Sequence, residues 1–99
     1  MKSVGMFSEM EMYNDDGSIH DSIVDDINYD REKLCDYLDN GTKVASCPRK
    51  SIDCITGEEI SPSFRVFTDD EYEWGDFLSY HVRKYNLKMP DDLIAKAGA

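Results

Sequence analysis

The sequence has few of the residues that build catalytic and metal centres. Among 99 residues there are two histidines and three cysteines, and no two cysteines form a Cys-x-x-Cys pair. Structural zinc sites need cysteine or histidine ligands at short, paired spacing, so we expect no metal site. The three cysteines are Cys35, Cys47 and Cys54, and in a reducing compartment such residues are typically small buried apolar side chains. A disulfide between Cys47 and Cys54 would require an oxidising compartment.

Long apolar runs are also missing. No stretch of about 18 apolar residues occurs, so we expect no membrane-spanning helix. The first residues, MKSVGMFSEMEMYNDDG, contain one lysine and no apolar block. This pattern is not that of a signal peptide, and it predicts a cytoplasmic protein.

Known catalytic motifs are absent as well. There is no glycine-rich phosphate loop, no G-x-S-x-G and no basic patch. Asn14 and Asp16 before Gly17 resemble a calcium loop, but that register places Met12 and Ile23 at the first and twelfth ligand positions. We therefore predict no catalytic residue and no cofactor, and we expect that the protein is not an enzyme. A Cys–His nucleophile pair stays open, because its members meet only in space.

Positive charge is scarce. The chain has 11 basic and 21 acidic residues, which gives a net charge of −10. Residues 9–39 hold 11 acids against Arg31 and Lys33, so this third alone carries −9. An acidic face repels nucleic acid and anionic lipid and attracts basic proteins. The alternative is a surface that is merely well solvated.

What is present predicts a single α+β domain over residues 1–99, a small antiparallel sheet flanked by two to three helices. Apolar spacing predicts helix near 20–39 that ends at Gly41. Asn28 or Asp30 would break this helix in two, with Asp30 as the cap of the second part. Strands are expected in KSVGMFSEM, TKVASCP, KSIDCITGEEI and SPSFRVF, so that a sheet spans 42–74. A short last helix, PDDLIAKAG, starts at Pro90.

The stretch FTDDEYEWGDFLSYHVRKYNLKMP allows two interpretations. Thr68 followed by Glu71 fits a capping box, which would open a long helix. The alternation of residues 71–74 beside an Asp-Asp turn instead favours a strand that pairs back on residues 63–67. We favour this hairpin, with a helix that starts at Asp76 as its cap and runs to about Leu87. Tyr72 would then lie exposed near the hairpin tip.

The same stretch resembles the C-terminal signature of small bacterial immunity proteins of toxin–immunity systems, such as contact-dependent growth inhibition or polymorphic toxin systems. In that pattern a Thr-Asp-Gly-type turn precedes an aromatic-x-Trp, and Asp70 here replaces the usual glycine. Upstream, a Tyr-Leu-x-x-Gly helix end and an Asp-x-x-Thr-Gly-Glu turn are also similar. The matching residues of the C-terminal signature are Thr68, Asp69, Tyr72, Trp74, Leu78, Tyr80, Lys84, Tyr85 and Pro90.

The resemblance implies an antitoxin whose partner is a cognate toxin domain, and basic nucleases are the class that an acidic face would suit. Acidic residues would stand in for phosphates and occlude a basic active-site cleft. The alternative is a small acidic adaptor or regulatory domain unrelated to toxins. A monomer is favoured, with no direct contact to nucleic acid or membrane. The predicted partner-binding residues are Asp15, Asp16, Asp21, Asp25 and Asp26, with Asp69, Asp70 and Tyr72 at the hairpin tip.

Overall fold

The computed structural model describes residues 2–10 and 16–99. This part of the chain has an α+β fold, as the sequence predicts. Its strands are β1 (Lys2–Ser3), β2 (Thr42–Cys47), β3 (Ser51–Ile52), β4 (Glu59–Ser61), β5 (Phe64–Thr68) and β6 (Tyr72–Gly75). Its helices are α1 (Arg31–Asp39), α2 (Phe77–Lys84) and α3 (Asp91–Ala97), and single 3-10 turns lie at Ser8–Met10 and Ile19–Ser22.

The strands form two sheets rather than one antiparallel sheet. The larger has the order β1-β6-β5-β2, and β3 pairs with β4 in a separate antiparallel ribbon. The larger sheet is mixed because β1 runs parallel to β6, where Lys2 and Val4 donate backbone hydrogen bonds to the carbonyls of Glu71 and Glu73. Of the predicted KSVGMFSEM strand, only Lys2–Ser3 is extended in this way.

The hairpin interpretation of the Thr68–Trp74 region is confirmed. β5 and β6 are antiparallel, with Phe67 opposite Trp74. The side chains of Thr68, which was the first residue of the possible capping box, and of Asp69 close the turn instead of opening a helix. Thr68 Oγ1 accepts from Asp70 N at 3.0 Å, and Asp69 Oδ1 accepts from Tyr72 N at 2.7 Å. Ser, Thr and Asp stabilise turns and helix starts by the same kind of bond, so the motif alone does not separate the two.

Helix boundaries agree with the sequence in part. The break near Asp30 is confirmed, because Asp30 Oδ1 accepts from Lys33 N and caps α1. The predicted helix over residues 20–29 is wrong: after the 3-10 turn, residues 23–30 form no helix. α2 begins after Asp76, but the carboxylate of Asp76 accepts from Arg65 N instead of capping the helix. α2 also ends at Lys84, three residues before the expected Leu87.

The core lies between the larger sheet and the helices. Trp74, Phe77 and Leu78 are almost fully buried. The indole N–H of Trp74 donates to the carbonyl of Leu38 at 3.1 Å and so attaches β6 to the end of α1. Across residues 2–10 and 16–99, no helix combines the length and apolar character that crossing a bilayer requires.

Candidate partner-binding surface

Three of the predicted acids are exposed close together in sequence. Asp21 lies in the 3-10 turn Ile19–Ser22, and Asp25 and Asp26 lie in the irregular segment that follows it. None of the three forms an ion pair with a base in the described part of the chain. We call Asp21, Asp25 and Asp26 the acidic loop.

Backbone hydrogen bonds hold the acidic loop against the segment after α2. Val24 N donates to Asn86 O at 3.0 Å, and Lys88 N donates to Ser22 O at 2.8 Å. The side-chain amide of Asn86 donates to Asp25 O at 2.9 Å. These contacts use main-chain atoms of the loop, and within residues 2–10 and 16–99 the three carboxylates form no ion pair. The loop therefore displays negative charge on a fixed backbone.

The carboxylate of Asp16 forms hydrogen bonds within the protein and is not a free surface group. Its Oδ2 accepts from Ser3 Oγ at 3.0 Å and from Met6 N at 2.9 Å. The carboxylate thus joins residue 16 to the N-terminal segment, and it is half-buried. The prediction for Asp15 falls outside the described residues.

Asp69 also acts inside the molecule. Its Oδ2 accepts from Tyr37 Oη at 2.6 Å and from Lys96 Nζ at 3.3 Å, which links the hairpin turn to α1 and α3. Burial opposes the charged form, but the hydrogen bonds from Tyr37 and from backbone N–H groups outweigh it and lower the pKa of Asp69 to about 2. Asp69 is therefore ionised in the folded protein, and its carboxylate holds the hairpin turn against α1 and α3.

Tyr72 is not exposed, so the expected position of its side chain is wrong. Only 6% of its surface is accessible. Its hydroxyl donates to Asp92 Oδ1 at 2.8 Å, and the ammonium groups of Lys2 and Lys96 lie 5.5 and 5.7 Å from its ring centroid. The ring is enclosed by Lys2 and by helix α3, which carries Asp92 and Lys96.

Asp70 is the exposed member of the hairpin tip. Its φ is +76°, and it is the one non-glycine residue with positive φ among those described. Glycine adopts this conformation without steric cost, whereas aspartate tolerates it. The resemblance places a glycine at this position, and the backbone geometry supplies a physical reason for that glycine.

Two acids of α1 are neutralised by α2. Arg83 lies 2.8 Å from the carboxylate of Asp39 and 3.7 Å from that of Glu32. Asp36, on the same helix, is exposed and has no ion pair within the described residues. Among the described acids before residue 40, some are therefore paired with a base and others are not. The acidic loop contains three of the acids that form no ion pair.

A second cluster, centred on Asp53, was not among the predicted site residues. Asp53 follows β3 and is fully buried. Its carboxylate accepts hydrogen bonds from two backbone N–H groups, two tyrosine hydroxyls and a lysine ammonium. The donors, all within 3.0 Å, are Ile55 N, Thr56 N, Tyr80 Oη, Lys84 Nζ and Tyr85 Oη.

The Asp53 cluster attaches the β3–β4 turn to α2. Burial opposes ionisation, but bonds from Lys84, from the backbone and from Tyr80 prevail and hold the pKa of Asp53 far below its usual value. The signal in the sequence was the Asp-x-x-Thr-Gly-Glu turn together with Tyr80, Lys84 and Tyr85. All of these belong to the resemblance, and here their common role is to satisfy one buried carboxylate.

His81 and Cys54 meet, but in a way that leaves neither group free to react. Cys54 N donates to His81 Nε2 at 2.9 Å, and His81 Nδ1 lies 2.8 Å from Phe77 O. The carbonyl can only accept, so Nδ1 carries the proton and the ring is neutral. Burial lowers the pKa of His81 and raises the pKa of the Cys54 thiol to about 12. A thiol of this kind is a poor nucleophile at neutral pH.

Metal binding and disulfide formation are the two remaining questions for the cysteine, histidine and acidic side chains. No group of three His, Cys, Asp or Glu side chains among them is placed to hold a metal ion. None of Cys35, Cys47 and Cys54 is part of a disulfide, so Cys47 and Cys54 are not bonded to each other.

Comparison with known proteins adds no family to these observations. No protein-family model, curated protein or solved structure matches the chain. Any function must therefore be argued from the geometry and charge described above.

Proposed function

We propose that this protein is a cytoplasmic immunity protein that binds and neutralises a cognate toxin domain. The partner is a basic protein domain, of which a nuclease with a basic active-site cleft is the expected kind. The observation that carries the proposal is the acidic loop. Asp21, Asp25 and Asp26 are exposed there and form no ion pair within the described residues.

The geometry of the loop suits a binding surface. The three carboxylates lie within six consecutive residues, at a spacing that can follow a row of basic groups. The backbone is held by Asn86 and Lys88, so little conformational entropy is lost when a partner docks. Negative charge on such a surface also accelerates encounter with a basic partner.

The proposed mechanism is occlusion. The aspartates of the loop occupy the positions that substrate phosphates would take in the basic cleft, and the domain behind them blocks access. No cofactor, metal or catalytic step is involved, and we predict no hydrolase or nuclease activity of the protein itself. Asp70 remains a candidate contact, whereas Asp16, Asp69 and Tyr72 leave the proposed interface because their side chains bond within the protein.

The test first asks whether a neighbouring gene encodes a secreted protein with a toxic C-terminal domain. Association with that domain is then measured by stopped flow. A variant with Asp21, Asp25 and Asp26 changed to Asn should associate at least about ten-fold more slowly at low salt. The difference should shrink above physiological salt, where the Debye length falls below about 8 Å. The free energy of unfolding should change by less than about 0.5 kcal/mol, since the three carboxylates are exposed and form no ion pair with any residue that the structure describes.

The control removes the same charge elsewhere. Glu58, Glu59 and Asp91 are exposed, and their change to Gln, Gln and Asn gives an equal net charge on a different surface. If both triple variants slow association equally, net charge acts without a defined site and the acidic loop is not the interface. Tight binding to a basic protein that is not toxic would instead support the adaptor hypothesis.

A further inference from the structure

Strand β2 leaves one edge of the larger sheet open. It is the outermost strand, next to β5 only, and its residues 42–46 are all exposed. Within the described part of the chain, no backbone bond outside the β2–β5 ladder reaches residues 42–46. The opposite edge is the two-residue strand β1. An open strand of this length is a template for pairing with another strand.

The hydrogen bonds of the neighbouring strands show which groups of β2 face outward. Arg65 O accepts from Asp76 N at 2.9 Å, and Arg65 N donates to Asp76 Oδ2 at 3.2 Å, so Arg65 faces away from β2. Ser46 is opposite Arg65 in the register. In an antiparallel ladder such a pair directs its backbone groups away from each other. The N–H and C=O of Ser46 therefore point to the open side.

The same alternation applies to Lys43. Val4 N donates to Glu73 O, so Glu73 faces β1 and its neighbour Trp74 faces β5. Trp74 is opposite Phe67, and Phe67 is opposite Lys43. Since Phe67 faces β6, the backbone of Lys43 also points outward. Lys43 and Ser46 thus flank an irregularity in the register at Val44.

Apolar surface lies between these two outward-facing residues. Val44 is 55% exposed, more than any other large aliphatic residue described, and Ala45 beside it is exposed too. Charge differs between the two ends of the strand. Asp70 lies near the Thr42 end, where both residues line one surface depression, whereas Arg49 and Lys50 follow the Cys47 end.

We propose that β2 pairs antiparallel with β2 of a second copy, about a two-fold axis between Val44 and Ala45. In this register Lys43 of each copy lies opposite Ser46 of the other, so the outward-facing groups meet. Both strands carry the same irregularity at Val44, and their spacing therefore matches. The two four-stranded sheets become one sheet of eight strands.

Charge and burial favour this arrangement over the parallel one. Antiparallel pairing brings the Asp70 end of one copy to the Arg49 and Lys50 end of the other, whereas parallel pairing would bring like ends together. Val44 and Ala45 of both copies would lie at the axis, where pairing of the strands removes part of their exposed surface from water. The dimer does not depend on the toxin-binding proposal, because the acidic loop takes no part in it. The sequence favours a monomer, and the open strand is the reason to expect a dimer instead.

The test is sedimentation velocity at physiological salt, from about 1 μM to about 500 μM protein. We expect a concentration-dependent monomer–dimer equilibrium. Ser46→Pro removes an outward-facing N–H without removing a bond to β5, as proline is tolerated at strand edges, and should raise the dimer Kd at least about ten-fold. Ser46→Ala keeps the N–H and should leave the Kd within about three-fold.

A second variant protects the test against misfolding of Ser46→Pro. Val44→Asp places two carboxylates beside the axis and should also raise the Kd at least about ten-fold. Hydrogen exchange gives a local measure: the amides of Lys43 and Ser46 should become protected as concentration rises, while that of Ala45 is protected throughout by β5. A monomer at every concentration, or a dimer that Val44→Asp leaves unchanged, would overturn the proposal.

Discussion

Asp53 illustrates how one carboxylate can fix a turn to a helix. A buried charge is costly unless its hydrogen-bonding capacity is filled. Here the donors come from the β3–β4 turn and from α2, and Lys84 supplies the opposite charge at 2.9 Å. The side chain of Lys84 is partly exposed, so its ammonium keeps contact with solvent. The carboxylate of Asp53 is thus the charge of this pair that the protein, and not the solvent, must stabilise.

The first prediction at this scale concerns Asp53→Asn. The amide removes the charge and directs an NH₂ group at neighbours that donate hydrogen bonds. We expect the free energy of unfolding to fall by about 2–4 kcal/mol. Tyr80→Phe removes one donor only and should cost about 1 kcal/mol. Urea denaturation of both variants is the measurement, and a smaller loss for Asp53→Asn than for Tyr80→Phe would contradict this role.

A second prediction concerns the conformation of Asp70. Because its φ of +76° is strained for any residue with a Cβ, Asp70→Gly should raise the free energy of unfolding by up to about 1 kcal/mol. Asp70→Ala keeps the Cβ and should give no gain. Thermal unfolding of the two variants separates them. Equal stability of Asp70→Gly and Asp70→Ala would mean that the turn carries no such strain.

At the scale of elements, the start of α1 offers a direct test. Asp30 Oδ1 accepts from Lys33 N, so Asp30→Ala should lower the free energy of unfolding by about 1 kcal/mol. Asp36→Ala is the matched control, because Asp36 is exposed on the same helix and caps nothing. Alanine favours helix, and this control should be neutral or slightly stabilising. Equal losses in chemical denaturation would show that Asp30 does not act as a cap.

Helices and strands were predictable where the local sequence pattern favours the same structure that the tertiary contacts stabilise. The β5–β6 hairpin was predictable because residues 71–74 alternate and Asp69 can close a turn. The irregular structure of residues 23–29 was not predictable in this way. Ile23, Val24 and Ile27 recur at helical spacing, yet β-branched residues and aspartates favour helix only weakly. Their segment bonds instead to residues 86–88, which are about 60 positions later, and no local pattern shows that partner.

The same limit applies to the candidate surface. Asp16, Asp25 and Asp69 look equivalent in the sequence, as acids in turns. Asp16 is engaged by Ser3 and Asp69 by Tyr37, while the carboxylate of Asp25 stays unpaired in the described structure. These partners lie 13 and 32 positions away, so only the folded chain assigns each acid to the interior or to the surface. The sequence could predict an excess of negative charge but not its distribution.

At the scale of the whole molecule, the charged and neutral groups of the interior make stability depend on pH. Asp53 and Asp69 have lowered pKa values in the folded state, and that of Asp69 is about 2. The pKa of His81 is lowered by burial. In each case the unfolded chain binds protons more readily than the folded one, so acid favours unfolding.

The last prediction follows from the order in which these groups titrate. As pH falls below about 6.5, the unfolded chain protonates His81 while the buried ring stays neutral, and stability falls by up to about 1.4 kcal/mol per pH unit. Below about 4 the decline steepens, since the unfolded state also protonates Asp53 and Asp69. Urea denaturation from pH 7.5 to pH 3 measures both phases. Asp69→Asn should reduce only the steep phase, and a flat profile between pH 6.5 and pH 4.5 would show that His81 protonates freely within the fold.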